Sequence, residues 1–555
     1  MSELKQRLID AARKGFGRRA WMCNAIAMFG GTAAGLLSPS GEAAQAGGQA
    51  KAPAGAPKAP AARPVGGPVI VASANKSIVE TGAGKVRGYT RNGIYTFKGM
   101  PYADTTAGQN RFMPPVKPTP WTGIRSALAL GPVCPQAYTS TFDSPRFGWR
   151  HDEEAFMFEW DDGHPGEDCL RVNVWTPSIN DNKKRPVMVW IHGGGFTSGS
   201  SDELKAYDGE NLSRRGDVVV VSLNHRLGSL GYLNLMEHSD KWVSSPNVGM
   251  LDLVAALEWV RDNIGNFGGD SGKVMIFGQS GGGSKVSTLM AMPSAKGLFH
   301  RASIQSGSSL RQIDAADSAK TAALLLQELG LSRANLDRIQ ELPNEQIVQA
   351  AQNAARKLQA AGGGRGAAGP GGAMRWGPTV DGKILPRHPF DPDGPAVSAD
   401  VPMMVGTVLN EQNNSIQQGD PSLDEMSLDE VRKRLTAQRG DRANAIIEVF
   451  QKGHPRATPY ELFSRINGAA SRQNAITQAE RKATQKAAPA FNYWFVWQTP
   501  VLDGRPRAFH CSELSFCFYN AHDRCAPLTG GGPDARALAA KVADAWINFA
   551  RNGDP

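Results

Sequence analysis

The chain reads as an α/β fold: a central, mostly parallel sheet flanked by helices, in a single large domain. Three observations predict this. From about residue 69, short β-rich runs alternate with helical stretches, as in strands joined by crossover helices. Several of those runs are continuously apolar instead of alternating, which suits strands covered on both faces. Between two of them, apolar residues recur at helical spacing. A length of 555 residues suggests several domains, but large α/β chains often fold as one unit.

Taken in order, Val187–Ile191 (VMVWI) is too short for a helix and fits a central strand. Val218–Leu223 (VVVVSL) is a second such run and Val274–Phe277 (VMIF) a third. Between these two, Leu251, Val254, Leu257, Val260 and Ile264 form one helical stripe. Further strands are expected at Ala302–Gln305, Met403–Gly406 and Phe491–Trp497. The segment 360–372 (AAGGGRGAAGPGG) reads as a surface loop inserted into the domain.

The first 46 residues read as an export signal. A basic n-region ends in Arg18-Arg19, an apolar stretch runs from Trp21 to Leu37, and Ala44-Gln45-Ala46 offers a small-residue cleavage pattern. This layout resembles a twin-arginine signal, which implies a periplasmic or secreted protein. Residues 47–68 are an Ala/Pro/Gly tract with too little apolar surface to offset its ordering entropy, so they read as a flexible tether before a domain spanning 69–555. The formal charge of +9 sits mostly in this front part. Residues 1–67 hold nine Lys/Arg against three acids, leaving 52 basic and 49 acidic residues behind. No dense basic run with interleaved aromatics follows, so no nucleic-acid partner is expected. The leader's apolar run is short and broken by glycine, so stable membrane insertion is not expected either.

Two glycine motifs carry the chemistry. Gly278-Gln279-Ser280-Gly281-Gly282 fits G-x-S-x-G directly after the VMIF run and before a helix-compatible stretch, Ser284–Met292. That context defines a sharp strand-to-helix turn that lifts a serine hydroxyl above the sheet, with the helix N-terminus favouring developing negative charge. His192-Gly193-Gly194-Gly195-Phe196 follows the VMVWI run. Glycines there let backbone N–H groups approach the carbonyl oxygen on which acyl transfer builds charge. Either motif alone could be a plain turn; both, after the right strands, point to acyl transfer on an α/β-hydrolase fold.

With these motifs placed, residues 75–555 resemble the type-B carboxylesterase family, which includes cholinesterases and bacterial para-nitrobenzyl esterases. The resemblance also rests on Phe97-Lys98-Gly99-Met100-Pro101-Tyr102-Ala103, Gly166-Glu167-Asp168-Cys169-Leu170, Asn224-His225-Arg226-Leu227-Gly228 and the block from Asn263 to Asp270. It implies hydrolysis of small-molecule carboxylic esters through an acyl-enzyme. Ser280 is then the nucleophile, and His510, in His510-Cys511-Ser512-Glu513-Leu514, the base. Glu411, ending Gly406-Thr407-Val408-Leu409-Asn410-Glu411, is the orienting acid. The chemistry agrees, since a serine hydroxyl needs an adjacent imidazole, and a carboxylate fixes the ring's tautomer. The resemblance further implies oxyanion donors at Gly194, Gly195 and Gly281, a triad-supporting Ser306, and a disulfide between Cys134 and Cys169. Glu513 is the competing acid, read as a structural carboxylate. Gly281 stands where relatives often have alanine, and Gln279 where cholinesterases have glutamate.

The other histidines read as bland: His192 as an oxyanion-loop scaffold, His225, His300 and His388 as packing or surface residues. Cys511, Cys517 and Cys525 match no zinc spacing, and no cofactor or metal is expected. Cys511 reads first as a small buried hydrophobe, with an exposed thiol or a partner for Cys525 as the other readings. A loop between Cys134 and Cys169 carries Phe156, Phe158, Trp160 and several acids, which reads equally as an acidic-aromatic rim or as a solvated loop. Two alternatives to ester hydrolysis stay open: the same apparatus acting on amides, thioesters or carbonates, and a non-catalytic binding protein of this fold.

Overall fold

Alternate residues of the apolar runs feed two different cores, which is why those runs are continuous. Val187, Val189 and Ile191 join one buried cluster with Val219, Val221, Val274 and Ile276. Met188 and Trp190 join another with Val220, Met275 and Phe277. Side chains of a strand point to opposite faces in turn, so the two clusters lie on the two sides of one sheet. Burying each such side chain contributes about 1.5–3 kcal/mol.

That sheet has ten strands. In chain order they are β1 (Ile70–Val71), β2 (Tyr89–Arg91), β3 (Ile94–Pro101), β4 (Arg171–Thr176), β5 (Arg185–Ile191), β6 (Val219–Leu223), β7 (Gly269–Gln279), β8 (Arg301–Gln305), β9 (Met403–Val408) and β10 (Ala490–Phe495). Their spatial order is β1-β2-β3-β4-β6-β5-β7-β8-β9-β10. Strands β6, β5, β7, β8, β9 and β10 run parallel. The β1–β4 side is antiparallel throughout, including β4 against β6. The sheet is thus mostly parallel with an antiparallel flank.

Four helices bear on the site: α1 (Val248–Asn263), α2 (Gly281–Leu289), α3 (Pro459–Thr484) and α4 (Pro533–Asn552). Helix α1 carries the expected stripe, and Leu253, Ala256 and Trp259 are buried as well, so it is covered on more than one face. Helix α3 starts with a capping box in which Thr458 Oγ1 accepts from the Glu461 amide at 3.2 Å and Glu461 Oε2 accepts from the Thr458 amide at 3.0 Å.

The computed structural model describes residues 68–136, 152–161, 163–360, 376–411, 415–418, 420–522 and 524–555. These fall in one compact unit. The expected leader, the tether up to residue 67 and residues 361–372 of the glycine-rich segment lie outside the described residues. Among the described residues no helix is long and apolar enough to cross a membrane.

Two of the sequence blocks prove to be buried ion pairs. Arg226 grips Asp252 of α1 with Nε at 2.8 Å and Nη2 at 2.6 Å, both side chains almost wholly buried. Arg111 holds Glu167 through two bonds of 2.6 Å and also donates to the carbonyls of Ile339, Gln340 and Leu342. These pairs tie long loops to the sheet's flank.

Candidate active site

In open parallel sheets, ligands meet the carboxyl ends of the strands, and the candidate residues gather there. Strand β7 ends at Gln279, and Ser280 follows with φ 56° and ψ −123°, a conformation ordinarily left to glycine. Two bonds hold the turn: the Ser280 amide donates to the Gln305 carbonyl at 2.8 Å, and its own carbonyl accepts from the Ser284 amide at 3.0 Å. The backbone is packed tightly around it. A Cβ on Gly282 would lie 2.0 Å from the Ile191 carbonyl oxygen, and one on Gly281 would lie 2.2 Å from that of Gly195.

The loop after β5 lies against this elbow. Gly194 and Gly195 are both left-handed, with φ 76° and 63°. Among the described residues, the N–H groups of Gly194, Gly195 and Gly281 make no hydrogen bond to the chain. The carbonyl groups on the other side of the loop are engaged. That of Gly194 accepts from the Thr197 and Ser198 amides at 3.3 and 3.0 Å. Those of His192 and Gly193 accept from Lys285 Nζ at 3.0 and 3.3 Å.

Glu411 and His510 meet because two segments run in register. Asn410 pairs with Phe509 in an isolated parallel bridge, and the Asn410 amide donates to the Ala508 carbonyl at 3.0 Å. The next residues on each segment then face one another. His510 Nδ1–H donates to Glu411 Oε2 at 2.6 Å, while Glu411 Oε1 accepts from the Val408 amide at 2.9 Å. A proton on Nδ1 leaves Nε2 as the acceptor. There the Gln279 side-chain amide donates at 3.2 Å, its other end accepting from the Cys511 thiol at 3.3 Å. Burial works against a charged His510, but the bond and charge of Glu411, with Glu513 behind, raise its pKa above the ordinary value. Glu513 itself is fully buried and pushed up to about 7 by burial and by Glu411.

The remaining histidines do other things. His192 and His225 are buried with ring centroids 4.8 Å apart, and burial holds both well below the usual imidazole range. His388 lies 3.3 Å from Asp314, on the two-stranded sheet formed by Ile313–Asp314 and Thr379–Val380. Among the described residues no group of three or more His, Cys, Asp or Glu could hold a metal ion.

Two features implied by the resemblance take another form here. The Ser306 amide donates to the Gly406 carbonyl at 2.8 Å, and among the described residues its buried hydroxyl finds no partner, Glu411 included. Its left-handed φ of 49° and that backbone bond fix it, while both oxygens of Glu411 are already engaged. Cys134 and Cys169 are brought together and buried, but as free thiols and not as a disulfide. Cys134 Sγ instead accepts from the Leu227 amide at 3.2 Å. Cys511 and Cys525 are likewise unjoined. The aromatic loop is partly absorbed: Phe158 stacks on Trp160 at 4.8 Å and packs edge-on against Phe509 at 5.6 Å. Its acids Glu153 and Glu159 pair with Arg505 and Lys205, which offsets the acidic rim.

Sequence reasoning missed Gln279 as a partner of His510, and Lys285 and Glu203 beneath the loop His192–Gly195. A signal existed for one of them. In GGGSKV, Lys285 is a charge on the helix that packs directly behind the elbow, where an exposed position is unavailable.

A strained serine before a helix, with a His–Glu pair and a loop of unbonded amides at the carboxyl edge of this sheet, belongs to the serine hydrolases of α/β-hydrolase fold. The carboxylesterase family profile matches residues 75–555. A para-nitrobenzyl esterase of Bacillus subtilis is 34% identical over 489 residues, covering 86% of this chain and 90% of that protein. A phenmedipham hydrolase of Pseudarthrobacter oxydans is 32% identical over 488 residues, covering 86% and 91%. Among solved structures, an esterase from Clostridium hathewayi that hydrolyses aliphatic aromatic polyesters is similar at a TM-score of 0.71 and 35% identity, covering 88% of this chain and 91% of that one. A Geobacillus stearothermophilus carboxylesterase gives 0.70 at 33% identity, covering 86% and 91%. The chain belongs to the carboxylesterase family and is a serine carboxylesterase that hydrolyses carboxylic esters.

Proposed function

We propose that Ser280 attacks the ester carbonyl, with His510 as base and Glu411 as orienting acid. The supporting observation is the 2.6 Å bond from His510 Nδ1 to Glu411, which leaves Nε2 facing the immediate neighbour of Ser280. The Gln279 amide yields its place at Nε2 to the serine hydroxyl. As the Oγ–carbon bond forms, the hydroxyl proton passes to Nε2 and the carbonyl electrons move onto oxygen. The amides of Gly194, Gly195 and Gly281 receive that charge. His510 returns the proton to the departing alcohol, and water activated by the same ring then releases the acid.

The substrate is a small-molecule carboxylic ester. Assays on para-nitrophenyl esters of graded acyl length should give turnover in the wild type. Ser280→Ala should lower kcat by on the order of 10⁴-fold or more; a wild-type rate from that variant contradicts the assignment.

Export through the Arg18-Arg19 leader, cleavage after Ala46 and a flexible tether before residues 69–555 complete the reading. It is supported by the layout of the first 68 residues. We also propose that Cys134 and Cys169 join as a disulfide in an oxidising compartment, a reading supported by their being buried together.

A further inference from the structure

We propose that Lys285 is a positioning residue for the oxyanion hole, holding the loop His192–Gly195 so that its amides face the reacting carbonyl. The inference rests on the triad reading above and adds a residue that touches neither substrate nor nucleophile.

The argument starts from the peptide group. In a planar trans peptide the N–H points opposite to the C=O of the same unit. Fixing the Gly193 carbonyl therefore fixes the direction of the Gly194 N–H, and fixing the Gly194 carbonyl fixes the Gly195 N–H. The Gly194 carbonyl is held locally, by the Thr197 and Ser198 amides. The Gly193 carbonyl has no such turn behind it. Within the loop it accepts from His192 Nδ1 at 3.1 Å; the tie to the rest of the fold is Lys285 Nζ at 3.3 Å, which also takes the His192 carbonyl at 3.0 Å. Gly193 lies against the elbow, since a Cβ there would fall 3.6 Å from Ser280 Cβ.

Lys285 is fully buried, on the helix that begins at the elbow, so nucleophile and clamp move as one body. An ammonium in that place is costly unless its donors are satisfied. The two carbonyls do this, the Phe196 ring lies 5.8 Å from Nζ, and Glu203 supplies the nearby opposite charge. Burial draws Lys285 down to about 7 and pushes Glu203 up to about 7, and the nitrogen keeps N–H donors in either protonation state. A donor on the carbonyl oxygen also polarises the amide, making the Gly194 N–H a stronger donor to the oxyanion.

The test uses Lys285→Met, which keeps the volume and removes every donor, and Lys285→Gln, which keeps a shorter one. Rates are referred to active sites titrated with a fluorophosphonate, so misfolded protein does not count. We expect Lys285→Met to lose roughly 10- to 100-fold in kcat, less than deletion of an oxyanion donor, with KM within about threefold. Affinity for a trifluoromethyl ketone, whose bound form carries the oxyanion, should fall in parallel with kcat/KM. Lys285→Gln should recover part of both losses, and it is the variant read if the Met protein does not fold. Unchanged kcat per titrated site, or a loss confined to KM with ketone affinity intact, overturns the clamp. Failure of the fluorophosphonate to modify wild-type Ser280 would instead overturn the triad reading.

Discussion

At the scale of the residue, His510, the proposed base, is set by opposing influences whose balance has a sign. Burial disfavours the imidazolium, while Glu411 in hydrogen bond and Glu513 at longer range favour it, and the net pKa of His510 is raised. The ring works as a base only when neutral, so kcat/KM should rise with pH through an inflection above 6.5, the unshifted value. Glu411→Gln removes the main raising influence and leaves burial to lower the pKa. Its inflection should move to lower pH while the maximal rate falls by roughly 10²- to 10⁴-fold. An unmoved inflection in a pH–rate profile would show that Glu411 is not what holds the ring. His510 and Glu411 were legible only through the motifs His510–Leu514 and Gly406–Glu411 that carry the resemblance, with Glu513 read as a structural carboxylate. The contact of Gln279 with Nε2 was not legible, because no motif links two residues 231 positions apart.

Elements carry the second part of the account. The central strands β5, β6 and β7 were readable because they are apolar on both faces, and β5, β6 and β8 start within two residues of the expected limits. Strand β7 begins five residues before Val274, over a polar stretch that pairs at its edge without a hydrophobic signal. Gly281 stands where the resemblance leads one to expect alanine. The structure gives it a reason: the Gly195 backbone occupies the place of that methyl group, and a Cβ on Gly281 would lie 2.2–2.4 Å from its atoms. Gly281→Ala should therefore displace the oxyanion loop and reduce kcat by about tenfold or more, with a small change in Tm. A variant as active as the wild type would mean that the loop can step aside freely. Ser306 and the Cys134–Cys169 disulfide both rested on resemblance; here the Ser306 amide bonds the Gly406 carbonyl and the two cysteines are free thiols.

For the whole molecule, buried charges as well as apolar clusters hold the loops beside the sheet. Arg226 and Asp252 are nearly inaccessible, and Asp252 also accepts from the Arg226 amide at 3.0 Å. Asp252→Asn leaves a guanidinium buried beside a neutral group and should cost about 3–5 kcal/mol. This should be visible as a lower urea midpoint at neutral pH; a midpoint within error of wild type would show that the pair is dispensable. The ends of the chain offered composition without periodicity, which is why the leader and tether could be read only as a layout. The central claim remains that the one hydroxyl lifted out of the sheet at Ser280 is the group that becomes acylated. Reaction with an organophosphate followed by peptide mass analysis tests it most directly. The account requires a single stoichiometric adduct on the peptide containing Ser280, lost in Ser280→Ala and formed much more slowly in His510→Ala. An adduct on any other residue, or equal labelling of the Ser280→Ala protein, would contradict it.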